Sequence, residues 1–189
     1  MENKKIKNAQ RNEYNGIQFK SVFEKQVYVC LKEAGFDVLY EPYTYTLVDS
    51  FTPRTKFYDK ETPKQRTKRI ASGENEDKHT ILIPKTSKIS SIKYTPDFMI
   101  VHNGVVYYIE AKGIENDVYY LKKKLFRLYL DKELKKTGQE SMFFEVYTKH
   151  QVNQVIDIIN NYKPDPVENA TYEVFNEICT KFLKDKNLI

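Results

Sequence analysis

The run YTPDFMIVHNGVVYYIEAK, residues 94–112, gathers Asp97, Glu110 and Lys112 around one short turn. Phe98 to Val101 and Val105 to Ile109 are rich in β-branched and aromatic residues, as strands are. Between them Asn103-Gly104 is the strongest short signal for a two-residue type I′ hairpin turn. Such a turn fixes the register: Val101 opposes Val106, Met99 opposes Tyr108, and Asp97 opposes Glu110. The period of two along a strand then puts Lys112 on the same face as Glu110. Opposed residues have Cβ atoms about 4.5–5.5 Å apart, where like charges destabilise a sheet. Two carboxylates at that separation need a proton, a cation or bulk water. A hard divalent cation answers this well, because Mg²⁺ takes one or two carboxylates together with waters and phosphate oxygens. Taken singly, Asp97 after Pro96 also suits a turn, and Glu110 with Lys112 suits a surface ion pair. The near-continuous apolar run from Val105 to Ile109 instead predicts a strand covered on both faces, and charges at the end of such a strand point to function.

The chain around these residues has 189 positions, 40% hydrophobic and 30% charged, which fits one soluble globular domain with an appendage. No apolar run approaches the ~20 residues that span a bilayer, and the N-terminus lacks the apolar segment of a signal peptide. Cys30 and Cys179 form neither a metal spacing nor a disulfide framework. Cys30 falls on the apolar stripe of a predicted helix, as a buried thiol. These features predict a reducing, cytoplasmic setting with no membrane partner. The net charge of +5 is unevenly placed, because the stretch from Thr52 to Ser90 carries ten Lys/Arg and five acids. A basic segment in an otherwise balanced chain suggests a polyanion, although a solvated surface loop explains the charge equally well.

Helical spacing runs from Lys20 to Ala34, with Ser21 and Glu24 in a capping-box pattern and Gly35 at the end. Val38 to Val48 reads as a strand that Pro42 confines to an edge or a bulge. Asp49 to Ser90 reads as a long polar connection holding a short strand at Ile81 to Ile83 and a mobile loop from Ser72 to Asp77. After the hairpin, Asp117 to about Lys136 reads as a helix with an apolar stripe of Val118, Leu121, Leu125, Leu128 and Leu134, broadened by Tyr119, Tyr120, Phe126 and Tyr129. Ser141 to Thr148 is a strand, Gln151 to Tyr162 a second amphipathic helix, and Glu168 to Lys186 a last helix. There are no internal repeats. Mixed strands with helices on both sides predict an α/β sandwich, and the helix from Asp117 allows the following strand to pair in parallel.

Pro96-Asp97 followed across the hairpin by Glu110-Ala111-Lys112 resembles the signature of the PD-(D/E)XK nuclease superfamily. The run KYTPDFMIVHNGVVYYIEAKG with its Lys-rich helix is similar to phage Holliday-junction resolvases of the endonuclease I type, and to the nuclease subunit of some transposases. The likeness covers roughly residues 20–160. It implies a restriction-endonuclease-like mixed sheet flanked by helices. In these terms residues 1–19 are an N-terminal tail, 20–162 the nuclease core with a basic insertion at about 50–90, and 163–189 a C-terminal helical extension. By resemblance Asp97 and Glu110 bind Mg²⁺ (or Mn²⁺), with the Ala111 carbonyl as a further ligand. Lys112 then lies beside the attacking water and the scissile phosphate. Many members add a glutamate from the first core helix, for which Glu24 is the best match and Glu33 the runner-up. Glu24 also reads as the capping partner of Ser21.

The implied function is a metal-dependent DNA endonuclease, on branched or junction DNA by analogy with the resolvases, which also implies a homodimer. The alternatives are a transposase-type or restriction-like subunit acting on duplex DNA, and a nucleic-acid-binding protein without catalysis. Lys122, Lys123, Lys124 and Arg127 could grip phosphates next to the site, and Arg66, Lys68 and Arg69 in the basic insert could hold a second duplex arm. A solvated helix face explains the first group too, and residues about 100° apart on a helix cannot all face one ligand. His79, His102 and His150 share no ligand spacing and read as surface residues, although His150 near a helix start could touch a phosphate.

Overall fold

The computed structural model describes residues 12–73, 79–113 and 116–164. Val48–Ile92 forms one compact unit, and the residues on either side of it form another.

The larger unit begins with a hairpin, β1 (Asn12–Tyr14) and β2 (Ile17–Phe19). Asn15 and Gly16 turn it with φ of 49° and 77°, the left-handed pair that a type I′ turn requires. Residues 12–19, expected in a tail, are thus ordered into strands, and Phe19 is buried in the core. Helix α1 (Val22–Glu33) starts at Ser21, whose side chain accepts from the Glu24 amide, and it buries Glu24, Val27, Tyr28 and Leu31. The single strand expected over 38–48 is two, β3 (Val38–Tyr40) and β4 (Tyr45–Val48). Glu41 divides them with φ of 43°, followed by Pro42, which cannot donate to a ladder.

The long polar connection, expected to hold a short strand at Ile81 to Ile83, has that strand as β6 (Leu82–Lys85) and also holds β5 (Phe57–Lys60) and α2 (Pro63–Ser72). Thr62 and Gln65 make a full capping box for α2, with Pro63 in its first turn, and Gly73 ends it in the left-handed conformation. Of the expected mobile loop, Ser72 ends α2 and residues 74–77 lie outside the described residues. The chain returns through β7 (Ile92–Tyr94), which pairs with β4 as a two-stranded ladder.

Then follow β8 (Phe98–His102), β9 (Val105–Ala111), α3 (Asp117–Thr137), β10 (Ser141–Val146) and α4 (Lys149–Asn161). The four-stranded sheet has the order β10-β9-β8-β3. β10 runs parallel to β9, and the other two pairings are antiparallel. Met99 pairs with Tyr108 and Val101 with Val106, as the turn chemistry requires. Alternation then splits the core. Phe98, Ile100, Tyr107 and Ile109 pack with residues of α1 and α4 on one face. Met99, Val106 and Tyr108 pack with Tyr94, Tyr119 and Phe126 on the other. The protein is therefore α/β, with a mixed sheet flanked by helices.

Helix α3 buries aromatic members of its expected stripe and exposes most of the aliphatic ones. Val118, Leu121, Leu128 and Leu134 are exposed, and the buried face is Tyr119, Lys123 and Phe126. Rings decide this: Phe126 packs edge-on to Tyr108 and against Tyr94 and Phe143, filling more space over the sheet than leucine can. β10 ends at Val146 rather than at 148 because Thr148 caps α4. The last expected helix, from Glu168, lies outside the described residues, as does Cys179. Cys30 is half-buried rather than fully buried.

Candidate active site

Two adjacent strand ends and one helix start build the site. β8 begins just after Asp97, and β9 carries Glu110 to its C-terminal end. The two acids are knit to each other's strands: the Ala111 amide donates to Asp97 Oδ2 at 2.8 Å, and the Asp97 amide donates to Glu110 Oε2 at 3.2 Å. The Tyr94 hydroxyl donates to the same Glu110 oxygen at 2.6 Å, while Lys112 Nζ lies 2.5 Å from Glu110 Oε1. Lys112 Nζ also sits 4.1 Å from the centroid of the Tyr119 ring, within cation–π reach.

Both acids are nearly inaccessible, Asp97 at 8% and Glu110 at 2% exposure. Burial drives the Asp97 carboxyl well above its usual range, and the charges of Glu110 and Glu24 push the same way, against Lys112 and the Ala111 amide. Burial, with Glu110 beside it, likewise raises the Tyr94 hydroxyl, which stays protonated and able to donate.

Glu24 reaches the same place from α1. Its carboxylate accepts from the Tyr40 hydroxyl at 2.7 Å, the Lys20 amide at 3.1 Å and the Ser21 hydroxyl at 3.0 Å. The Ser21 hydroxyl in turn accepts from the Glu24 amide at 3.1 Å. The expected capping box is thus half present, since the Glu24 carboxylate takes the Lys20 amide and the Ser21 hydroxyl rather than the Ser21 amide, and Glu24 also lines the same cleft as Asp97 and Glu110. Glu33 is exposed at the far end of α1. Glu24, Asp97, Glu110, Ala111 and Lys112 all line one open cleft of about 440 Å³, whose rim adds Lys20, Glu41, Lys93 and Lys122. Among the described residues, no three His, Cys, Asp or Glu side chains converge as ligands of one ion. Tyr40 and the Lys20 amide hold Glu24 to its own side, so the carboxylates offered together are those of Asp97 and Glu110. Two buried hard-oxygen donors with surplus negative charge suit Mg²⁺, which needs no more than one or two carboxylates.

The predicted basic residues divide. Lys122 lines the cleft, and Lys124 is exposed over the Tyr120 ring. Lys123 is buried and donates to Glu145 at 2.8 Å, and Arg127 donates to the other Glu145 oxygen at 3.0 Å. Tyr119 also donates to Glu145, so this carboxylate fastens α3 to β10. Lys123 is thus a structural cation rather than a phosphate contact. In the smaller unit, Arg69 makes a two-pronged pair with buried Glu61 at 2.7 and 3.0 Å, which removes it from the phosphate contacts too. Lys68 is exposed and Arg66 half-buried. His79 and His150 are exposed, and half-buried His102 packs edge-on to Phe36.

Sequence reasoning passed over Tyr94, Tyr40, Glu41 and Glu145. Tyr94 stands in the same run as Asp97, but its number among fifteen tyrosines hid it. Glu41 pairs with Lys20 on the rim, and its amide bonds the Asp97 carbonyl at 2.8 Å. No helix among the described residues is long and apolar enough to cross a membrane. Comparison with known proteins returns no matching family model, no matching curated protein and no matching solved structure.

Proposed function

We propose that the protein is a divalent-metal-dependent DNA endonuclease with a restriction-endonuclease-like core. The observation that carries this reading is the buried pair Asp97 and Glu110, each carboxylate held by a backbone amide of the other's strand end, with Lys112 against Glu110. Asp97 and Glu110 would hold Mg²⁺, aided by the Ala111 carbonyl, with Glu24 behind them. The bound ion would supply an acidified water and charge relief on the phosphoryl oxygens.

The chain's own residues supply the rest. Tyr94 and the Asp97 amide fix one Glu110 oxygen, so the carboxylate is oriented before substrate arrives. Lys112 is a compact cation beside the carboxylates, placed to orient the attacking water and to offset charge on the pentacovalent phosphate. Lys20, Lys93 and Lys122 on the rim give the cleft a cationic mouth for a phosphodiester backbone. None of these contacts reads a base, which favours recognition by DNA shape.

The test is a panel of labelled DNAs offered with Mg²⁺ or Mn²⁺: single strand, duplex, splayed fork and four-way junction. Preferential cutting of the fork or junction is expected. Equal cutting of plain duplex moves the assignment to the restriction-like or transposase-type class, and binding without any cutting leaves a non-catalytic DNA-binding protein.

A further inference from the structure

The hairpin of the smaller unit has two unlike faces. In the β5–β6 register Tyr58 pairs with Pro84 and Lys60 with Leu82. Directly opposed residues share a face, so these four side chains form one patch. All four are exposed, Tyr58 at 58% and Leu82 at 69%. Phe57, Asp59 and Glu61 point the other way, and there Arg69 of α2 grips Glu61 and the His79 carbonyl. Helix α2 is thereby held on the Glu61 side, and the Tyr58 face stays open.

We infer that this open face is a stacking site for unpaired nucleobases. A tyrosine ring flanked by leucine and proline offers a flat apolar platform, and every base has a π-face to lay on it. Lys60 lies two residues along from Tyr58, ~7 Å away on the same face, where it can meet the phosphate of a stacked nucleotide. Charge selects this occupant over a protein: Val48–Ile92 carries ten Lys/Arg against six Asp/Glu. Among the described residues of that unit, Asp59 is paired with Lys85 and Glu61 with Arg69. The inference deepens the nuclease reading by naming the substrate feature, bases without partners, and rests on that reading only for the fate of the DNA.

The chain contains no tryptophan, so Tyr58→Trp installs a single reporter on the patch. The full-length variant is titrated in EDTA with oligothymidylate and with blunt duplex of equal length. Quenching by oligothymidylate is expected, weakening as salt rises, with little quenching by duplex and none in a Tyr14→Trp control. Tyr58→Ala should weaken oligothymidylate binding about tenfold, and Tyr58→Phe should restore it. Absent quenching, equal quenching by duplex, or unchanged affinity of Tyr58→Ala overturns the inference. Because no cleavage is read, a protein that fails to cut DNA yet shows this quenching refutes the nuclease reading alone. Metal-dependent cutting without quenching refutes only the stacking site.

Discussion

The Tyr94 hydroxyl donates to Glu110 Oε2 at 2.6 Å, and both side chains are buried. A tyrosine whose burial keeps it protonated is a fixed donor, and its partner is the carboxylate assigned to the metal. Replacing it by phenylalanine keeps the ring against Phe126 and deletes only the donor. Hydrogen bonds to charged groups contribute about 1.5–3 kcal/mol, so Tyr94→Phe should lower the melting temperature by several degrees. It should also weaken Mn²⁺ binding in calorimetric titration, since only the Asp97 amide then holds that Glu110 oxygen. Unchanged melting and unchanged Mn²⁺ affinity would count against this positioning role.

The raised Asp97 carboxyl makes a pH prediction with a definite sign. A group that holds its proton more tightly in the folded than in the unfolded chain costs stability as pH rises from the ordinary carboxylate range through the raised value. Asp97→Asn removes that cost while its amide oxygen can still accept from Ala111. In metal-free buffer near pH 7 the variant should therefore melt several degrees above the wild type, with the gap closing below pH ~4. Melting curves across pH decide this, and a variant that melts lower at neutral pH contradicts it.

The cations of α3 should separate by function. Lys123→Ala strips a buried donor from Glu145 and should lower the melting temperature, because one charge is left short of partners. Lys124→Ala touches an exposed residue and should leave melting unchanged. If Lys124 contacts a phosphate, this substitution lowers the salt slope of DNA binding by about 1. Equal thermal effects of the two substitutions would refute the division.

The smaller unit should depend on one ion pair. The Arg69 guanidinium holds the Glu61 carboxyl below its usual range, so its contribution is present above that range and lost as pH falls through the lowered value. Arg69→Met should speed hydrogen exchange in β5 and β6 and leave β8 and β9 protected. The double variant Glu61→Leu with Arg69→Met should recover part of that protection, since it leaves no unpaired buried charge. Exchange in β5 that Arg69→Met does not alter would show that the pair is dispensable.

The hairpin register was legible in the sequence because Asn103-Gly104 permits one pairing, and that pairing sets Asp97 beside Glu110. The same dipeptide at Asn15-Gly16 signals the first hairpin, yet the charged, apolar-poor residues around it read as a tail. The broad stripe of α3 holds both rings and leucines, and spacing alone does not say which of them claim the sheet; Phe126 does. Lys123 and Arg69 looked like surface cations because their partners, Glu145 and Glu61, are brought to them only by the fold. Tyr40 reaches Glu24 across sixteen positions of chain, a contact that no local pattern encodes.

The most direct measurement is single-turnover cleavage of a labelled four-way junction by the wild type, Asp97→Asn, Glu110→Gln and Lys112→Ala, each with Mg²⁺ and with EDTA. The account predicts Mg²⁺-dependent hydrolysis by the wild type alone, a fall of at least a hundredfold (~3 kcal/mol) in each variant, and retained junction binding. Cleavage that survives EDTA, or that persists at the wild-type rate in Asp97→Asn, contradicts it.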